Sequence, residues 1–254
     1  MNPISNHFLL LFLLFSFFNL LGVYLNHIDD TDETHGYWEP LHYLLYGTGL
    51  QTWEYSPDYS IRTYSFIIPV YLYAYLLKKL SHIDKIVLFK CIRVLFGLIT
   101  AYSEMKFLNS VHKRFGVYHY YFNIIFMLFS PGILFCSTSY LPSAICMNLI
   151  MLSFSAMMDG YFHLSICYGS IAVLWTGWPF VALLLIPIGI NMIMSTLFNS
   201  YSIYKIDSPL MPLMYLFTYG AVIVLLVLVP SVLIDFIMYR KWYYYINIFI
   251  LLLC

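Results

Sequence analysis

Seven of the twelve acidic residues lie between positions 26 and 65: Asp29, Asp30, Asp32, Glu33, Glu39, Glu54 and Asp58. Arg62 is the one Lys or Arg among them, accompanied by His27, His35 and His42 and by a series of tyrosines and tryptophans from Tyr37 to Tyr64. A carboxylate held at an apolar boundary can take a proton from a hydroxyl nucleophile, and a guanidinium can hold a phosphate leaving group. Asp32 and Glu33, directly after an apolar run, are therefore the candidate bases, and Arg62 is the candidate phosphate partner. The flat rings of Trp38 and Trp53 suit the apolar faces of sugars. Plainer accounts stay open beside this chemistry. The acids would equally form a solvated loop, as surface carboxylates ordinarily do, and each histidine is more often structural than a ligand. Asp30-Thr31-Asp32 is also a DxD triplet of the kind that holds hard cations, though the spacing alone has low specificity.

What must position these residues is set by the rest of the chain, which is 62% hydrophobic and 9% charged with a mean hydropathy of +0.81. A soluble domain carries roughly 25% charged residues, so the expected fold class is an all-α polytopic membrane protein. With a net charge of +0 and no long Lys/Arg run, nucleic acid is not an expected partner. The five cysteines stand singly without CxxC spacing, which argues against a metal knuckle or a disulfide framework.

Three regions follow. Residues 1–25 hold an N-terminus and a first transmembrane helix over 8–25, a signal anchor that carries the polar segment across. Residues 26–84 form a large loop. Within it Pro40 opens a short helix that ends at Gly47 and Gly49, with Leu41, Leu44 and Leu45 expected to face the membrane. Residues 64–80 are expected to form an interfacial amphipathic hairpin rather than a span. Residues 85–254 supply a helix bundle, with expected apolar segments at 86–111, 118–136, 143–158, 164–198 and 210–237. The 164–198 run is expected to break at WTGWPF. Lys90, Arg93 and Glu104 are expected to pair with one another or to snorkel. The basic cluster His112-Lys113-Arg114 reads as cytosolic and the CSTSYLPSA turn as sharing the acidic segment's side. A polar loop covers 199–209, and the chain ends inside the apolar run INIFILLLC, as an incomplete bundle would.

The run HIDDTDETHGYWEPLHYLLYGTGLQTWEYSPDYSIRTYS resembles the first luminal loop of the dolichyl-phosphate-mannose-dependent mannosyltransferases, multi-span enzymes of the GT-C superfamily, glycosyltransferase family 22. The resemblance continues through HKRFG, FCSTSYLPSAICM and GWPF, so it covers nearly the whole chain. It is strongest to the α-1,2-mannosyltransferases of N-glycan precursor assembly. It implies a GT-C-type transmembrane helix bundle whose large first luminal loop carries short amphipathic helices, in the endoplasmic reticulum membrane. It also implies mannose transfer from dolichyl phosphate mannose to a dolichyl-diphosphate-linked oligosaccharide, inverting, with a carboxylate base and with neither metal nor other cofactor. The family's acidic pair falls on Asp32 and Glu33, with Asp32 the first choice for base. Arg62 falls on the arginine of its IR-S/T-Y motif. Asp30, Trp38, Glu39, His42, Trp53, Glu54 and Tyr55 complete the expected substrate-binding set. Family members are longer, with further spans and a second luminal region, and commonly carry Cys and Ser where this chain has Thr31 and Thr63. A GPI-anchor-type mannosyltransferase with the same donor, an inactive truncated fragment and a transporter are the alternatives.

Overall fold

The computed structural model describes residues 3–28, 30–81, 83–176, 179–197 and 211–240, and every regular element among them is helical. Among the described residues, three helices are long and apolar enough to cross a membrane: Phe8–Leu25, Lys85–Phe115 and Phe217–Tyr239. The first belongs to α1 (Pro3–Leu25) and the second is α4 (Lys85–Phe115). The third joins α10 (Met211–Ile223) to α11 (Val229–Tyr239) through a π-helical turn, Val224–Leu228.

At 31 residues, α4 is the axis of the bundle, packing against α1 on one side and α7 (Pro142–Met158) on the other. Apolar helices gain little from hydrophobic sorting inside a bilayer, so polar contacts between them carry specificity. Asn148 Nδ2 donates to Thr100 Oγ1 at 2.9 Å, and Thr100 Oγ1 donates to the Ser137 carbonyl at 2.9 Å. Ser153 Oγ donates to the Ser165 carbonyl at 2.8 Å, joining α7 to α8 (Phe162–Trp175). Asn19 of α1 donates to both Gly97 O at 3.2 Å and Glu104 Oε2 at 3.1 Å.

Arg93 and Glu104 do not pair with each other as expected. They stand eleven residues apart on α4, about 16 Å along a helix axis, so no side-chain contact is within reach. Arg93 instead meets Glu33, with Nε 3.2 Å from Oε1.

Further expectations are corrected. The apolar run 118–136 is not one continuous helix: α5 (Val117–Phe129) stops at Ser130, and α6 (Pro131–Cys136) starts anew. Pro131 lacks an N–H and forces Ser130 into an extended conformation, at φ −78 and ψ 111. Leu41 of α2 (Glu39–Tyr46), expected to face lipid, is instead fully buried, and Leu44 and Leu45 pack half-buried against the same core. Their stripe is covered by α3 (Ile67–Leu80), which turns Ile67, Val70 and Ala74 toward it.

The hairpin expected over 64–80 is instead one continuous helix, α3, whose 14 residues make about 21 Å, too short to cross a core of about 30 Å. Lys78 Nζ near its end donates to the Leu45 carbonyl at 2.8 Å, satisfying a terminal carbonyl of α2. At WTGWPF, α8 ends on Trp175, and a 3₁₀ segment, Pro179–Leu185, leads into α9 (Ile186–Leu197). Asp29, Gly177, the 199–209 loop and the INIFILLLC run lie outside the described residues.

Replacing Asn19 by Leu leaves the Glu104 carboxyl buried without its donor. Thermal unfolding of the detergent-purified protein should show Asn19→Leu less stable by about 1–3 kcal/mol. Asn19→Leu combined with Glu104→Leu should recover most of the loss.

Candidate active site

The acidic segment begins with a helical turn that proline shapes. Pro40 has no N–H to give to the Gly36 carbonyl four residues back. The preceding turn, Asp32–Trp38, widens to π-helical geometry, in which Glu39 N–H donates to the Thr34 carbonyl. The released Gly36 carbonyl accepts a hydrogen bond from Tyr55 Oη at 2.6 Å. Tyr55 is thereby buried and ties the Trp53–Tyr55 turn to the first helical turn.

Successive side chains on a helix diverge by about 100°, so neighbouring acids face different surroundings. Asp32 faces outward with its side chain 55% exposed. Glu33 faces inward at 1% exposure, where Oε1 accepts the Tyr140 N–H at 2.7 Å and lies beside Arg93. Of the two candidate bases, Asp32 is the exposed one.

Arg62 closes the site. Its Nε and Nη2 donate to the two carboxylate oxygens of Glu54 at 2.6 and 3.2 Å, and Nη2 also lies 2.9 Å from Asp32 Oδ1. The guanidinium rests 5.1 Å from the centre of the Tyr37 ring. Burial alone would lower its proton affinity, but the Glu54 hydrogen bond, the Tyr37 phenol and Asp32 together hold it above its ordinary value. Burial pushes the Tyr37 phenol up to about 12 despite the opposing Arg62 charge. Gly36 makes the approach feasible, because a Cβ there would stand 2.9 Å from Arg62 Cζ and closer still to Nη1. With both carboxylates engaged, Arg62 is positioned first of all to hold Asp32 and Glu54.

Asp32, Glu54, Tyr55 and Arg62 thus converge around Gly36 and Tyr37. Of the other expected substrate-binding residues, Asp30 adjoins Asp32 while Glu39, His42, Trp38 and Trp53 stand apart. Glu39 Oε2 accepts the Leu50 N–H at 3.1 Å and His42 Nδ1 lies 2.7 Å from Thr48 O, so both brace the turn after α2. Trp38 packs edge-on against Phe89 at 5.1 Å between ring centres. Trp53 is exposed and touches Tyr59. Asp30 Oδ1 accepts the Asp32 N–H at 2.8 Å, which makes a local turn of the DxD triplet.

Asp30 also borders two cavities. The larger, about 520 Å³, has Asp30, Asp32 and Tyr37 at one side and apolar walls from α7 and the 179–185 turn, including Leu141, Ile150 and Leu184. The smaller, about 360 Å³, is more polar and is lined by His27, Asp30, Glu33, Arg93 and Ser139, with Leu141 shared between the two.

Sequence reasoning missed the residues that hold the Arg62 strand from behind. Asp235 of α11 accepts from Thr63 Oγ1 at 2.8 Å and from the Tyr64 N–H at 2.7 Å. Tyr239 Oη donates to the Arg62 carbonyl. A lone carboxylate in an apolar span was the available signal.

Comparison with known proteins matches residues 10–251 to a model described as the Alg9-like mannosyltransferase family. The chain belongs to that family. The human "Alpha-1,2-mannosyltransferase ALG9" is 34% identical over 233 residues, covering 87% of this chain and 34% of the relative. The Caenorhabditis elegans "Alpha-1,2-mannosyltransferase algn-9" is 38% identical over 167 residues, 66% of this chain and 28% of the relative. The Saccharomyces cerevisiae ALG9 is 36% identical over 168 residues, 63% of this chain and 30% of the relative. The chain therefore spans about a third of the length of the curated relatives it matches. No solved structure matches it.

Alanine at position 36 must push the Arg62 guanidinium away. Gly36→Ala should destabilise the protein by about 1–3 kcal/mol. In a thermal-unfolding double-mutant cycle with Arg62→Ala, the two changes should couple by about 0.5–3 kcal/mol rather than add.

Proposed function

We propose that this chain carries the base and the donor cleft of an α-1,2-mannosyltransferase that uses dolichyl phosphate mannose and a dolichyl-diphosphate-linked oligosaccharide. The acidic segment then faces the endoplasmic reticulum lumen. The observation that carries the proposal is the half-exposed Asp32 carboxylate, braced by Arg62 at the edge of an apolar cavity. Family membership supports the transferase class, and the printed names of the relatives support the linkage.

In the reaction, an acceptor hydroxyl oxygen attacks the mannose anomeric carbon and the bond from that carbon to the phosphate oxygen breaks. The electron pair leaves with the phosphate, and Asp32 takes the hydroxyl proton. One displacement converts a β-linked donor into an α-linked product. Arg62 and Glu54 keep Asp32 in place, so little reorganisation is needed when the acceptor arrives. The apolar wall of Leu141, Ile150 and Leu184 suits a polyisoprenoid chain. The smaller cavity, with His27, Asp30 and Ser139, offers the hydrogen-bonding groups that an acceptor sugar needs.

Mannose transfer should be measured in membranes containing the protein. Asp32→Asn should lower the rate by about 10²–10⁴-fold, the usual contribution of a positioned base. Transfer at the unaltered rate would overturn the assignment of Asp32. Leu184→Trp, which fills the larger cavity, should raise KM for the donor and leave KM for the acceptor unchanged. Ser139→Trp should do the reverse, and both KM values can be read from the same assay.

A further inference from the structure

Arg93 takes no proton in the proposed reaction; it lines the smaller cavity and is a guanidinium buried in an apolar helix with its side chain 5% exposed. Its Nε lies 3.2 Å from Glu33 Oε1, Nη1 donates to the Asn26 carbonyl at 3.3 Å, and the group stands 5.8 Å from the centre of the Phe89 ring. Phe89 stands one turn back on α4 itself, and the other two contacts reach different pieces of chain. Asn26 directly follows α1, and its Nδ2 donates to the Leu134 carbonyl of α6 at 3.0 Å. Glu33 sits in the first turn of the acidic segment and accepts the N–H of Tyr140, in the turn between α6 and α7.

One cation on α4 therefore fastens the end of α1, the turn bearing Asp32 and the 137–141 turn to a single point. Those are the pieces that frame the cavities: Asp32 adjoins Glu33, and Leu141 adjoins Tyr140. A buried ion pair adds little net stability relative to an apolar pair of similar size, because desolvation offsets the attraction. What it does supply is a fixed geometry, since moving either partner strands a charge.

We propose that Arg93 is a positioning residue which, acting through Glu33, fixes where the Asp32 carboxylate stands at the cavity edge. Glu33 is on this account an anchor and not a second base. The inference rests on the proposed role of Asp32.

The test compares the unaltered protein, purified into nanodiscs, with Arg93→Lys, which keeps the charge but loses the forked contact. A second variant, Glu33→Gln with Arg93→Met, removes both charges and strands neither. Amide hydrogen exchange should quicken by about tenfold in peptides covering 30–38 and 137–141, while 142–158 stays unchanged. Unchanged exchange at 30–38 in both variants would overturn the proposal, and so would an equal rise in every peptide, which would mark Arg93 as a general support of the fold. In the transfer assay kcat should fall by about tenfold or more with KM for the donor within about twofold, as expected for a displaced base. A kcat equal to that of the unaltered protein in both variants would also overturn it. If the unaltered protein transfers no mannose, the functional assignment fails, while hydrogen exchange still decides whether Arg93 holds the turn.

Discussion

The site depends on one close approach, that of the Arg62 guanidinium to the backbone at Gly36. A planar cation held by Glu54 can also reach Asp32 only if nothing stands between it and the helical turn that presents Asp32. The glycine provides the room, and Glu54 and Asp32 provide the charge. Pro40 adds a second condition by withdrawing its N–H from the Gly36 carbonyl, which Tyr55 then binds. Two sequence-local facts, a missing side chain and a missing hydrogen, thus bring residues 32, 36, 54, 55 and 62 into one cluster.

The apolar bundle contributes through its few polar positions. Asn19 and Glu104, Arg93 and Glu33, and Asp235 with Thr63 and Tyr64 are each buried pairings between distant parts of the chain. In a medium where apolar surfaces are interchangeable, such pairings select one arrangement of helices over its neighbours. Two of them end on the acidic segment itself. The segment is accordingly seated against α4 and α11, and its first helical turn is not a solvated loop.

Much of this was legible in the sequence. Composition fixed the class, WEPLHYLLYGTG marked the short helix through Pro40 and Gly47, and the contrast between acids and apolar flanks marked the site. Periodicity could not show that Leu41 meets α3 and not lipid, because both surroundings accept the same side chain. The break at Ser130 was written in Pro131 but masked by apolar residues on either side. The opposite surroundings of Asp32 and Glu33 were invisible, since they depend on which neighbour finds Arg93 some sixty residues on. The hold of Asp235 on Thr63 spans 172 residues, beyond any local pattern.

That last separation bears on how the protein is made. A membrane chain is threaded into the bilayer from its N-terminus, so the acidic segment is delivered long before α11 exists. Until Asp235 and Tyr239 arrive, Thr63, Tyr64 and the Arg62 carbonyl have no partner from that side. The nascent segment is thus braced from one side only, and the order of synthesis leaves its local geometry open until α11 arrives to complete it.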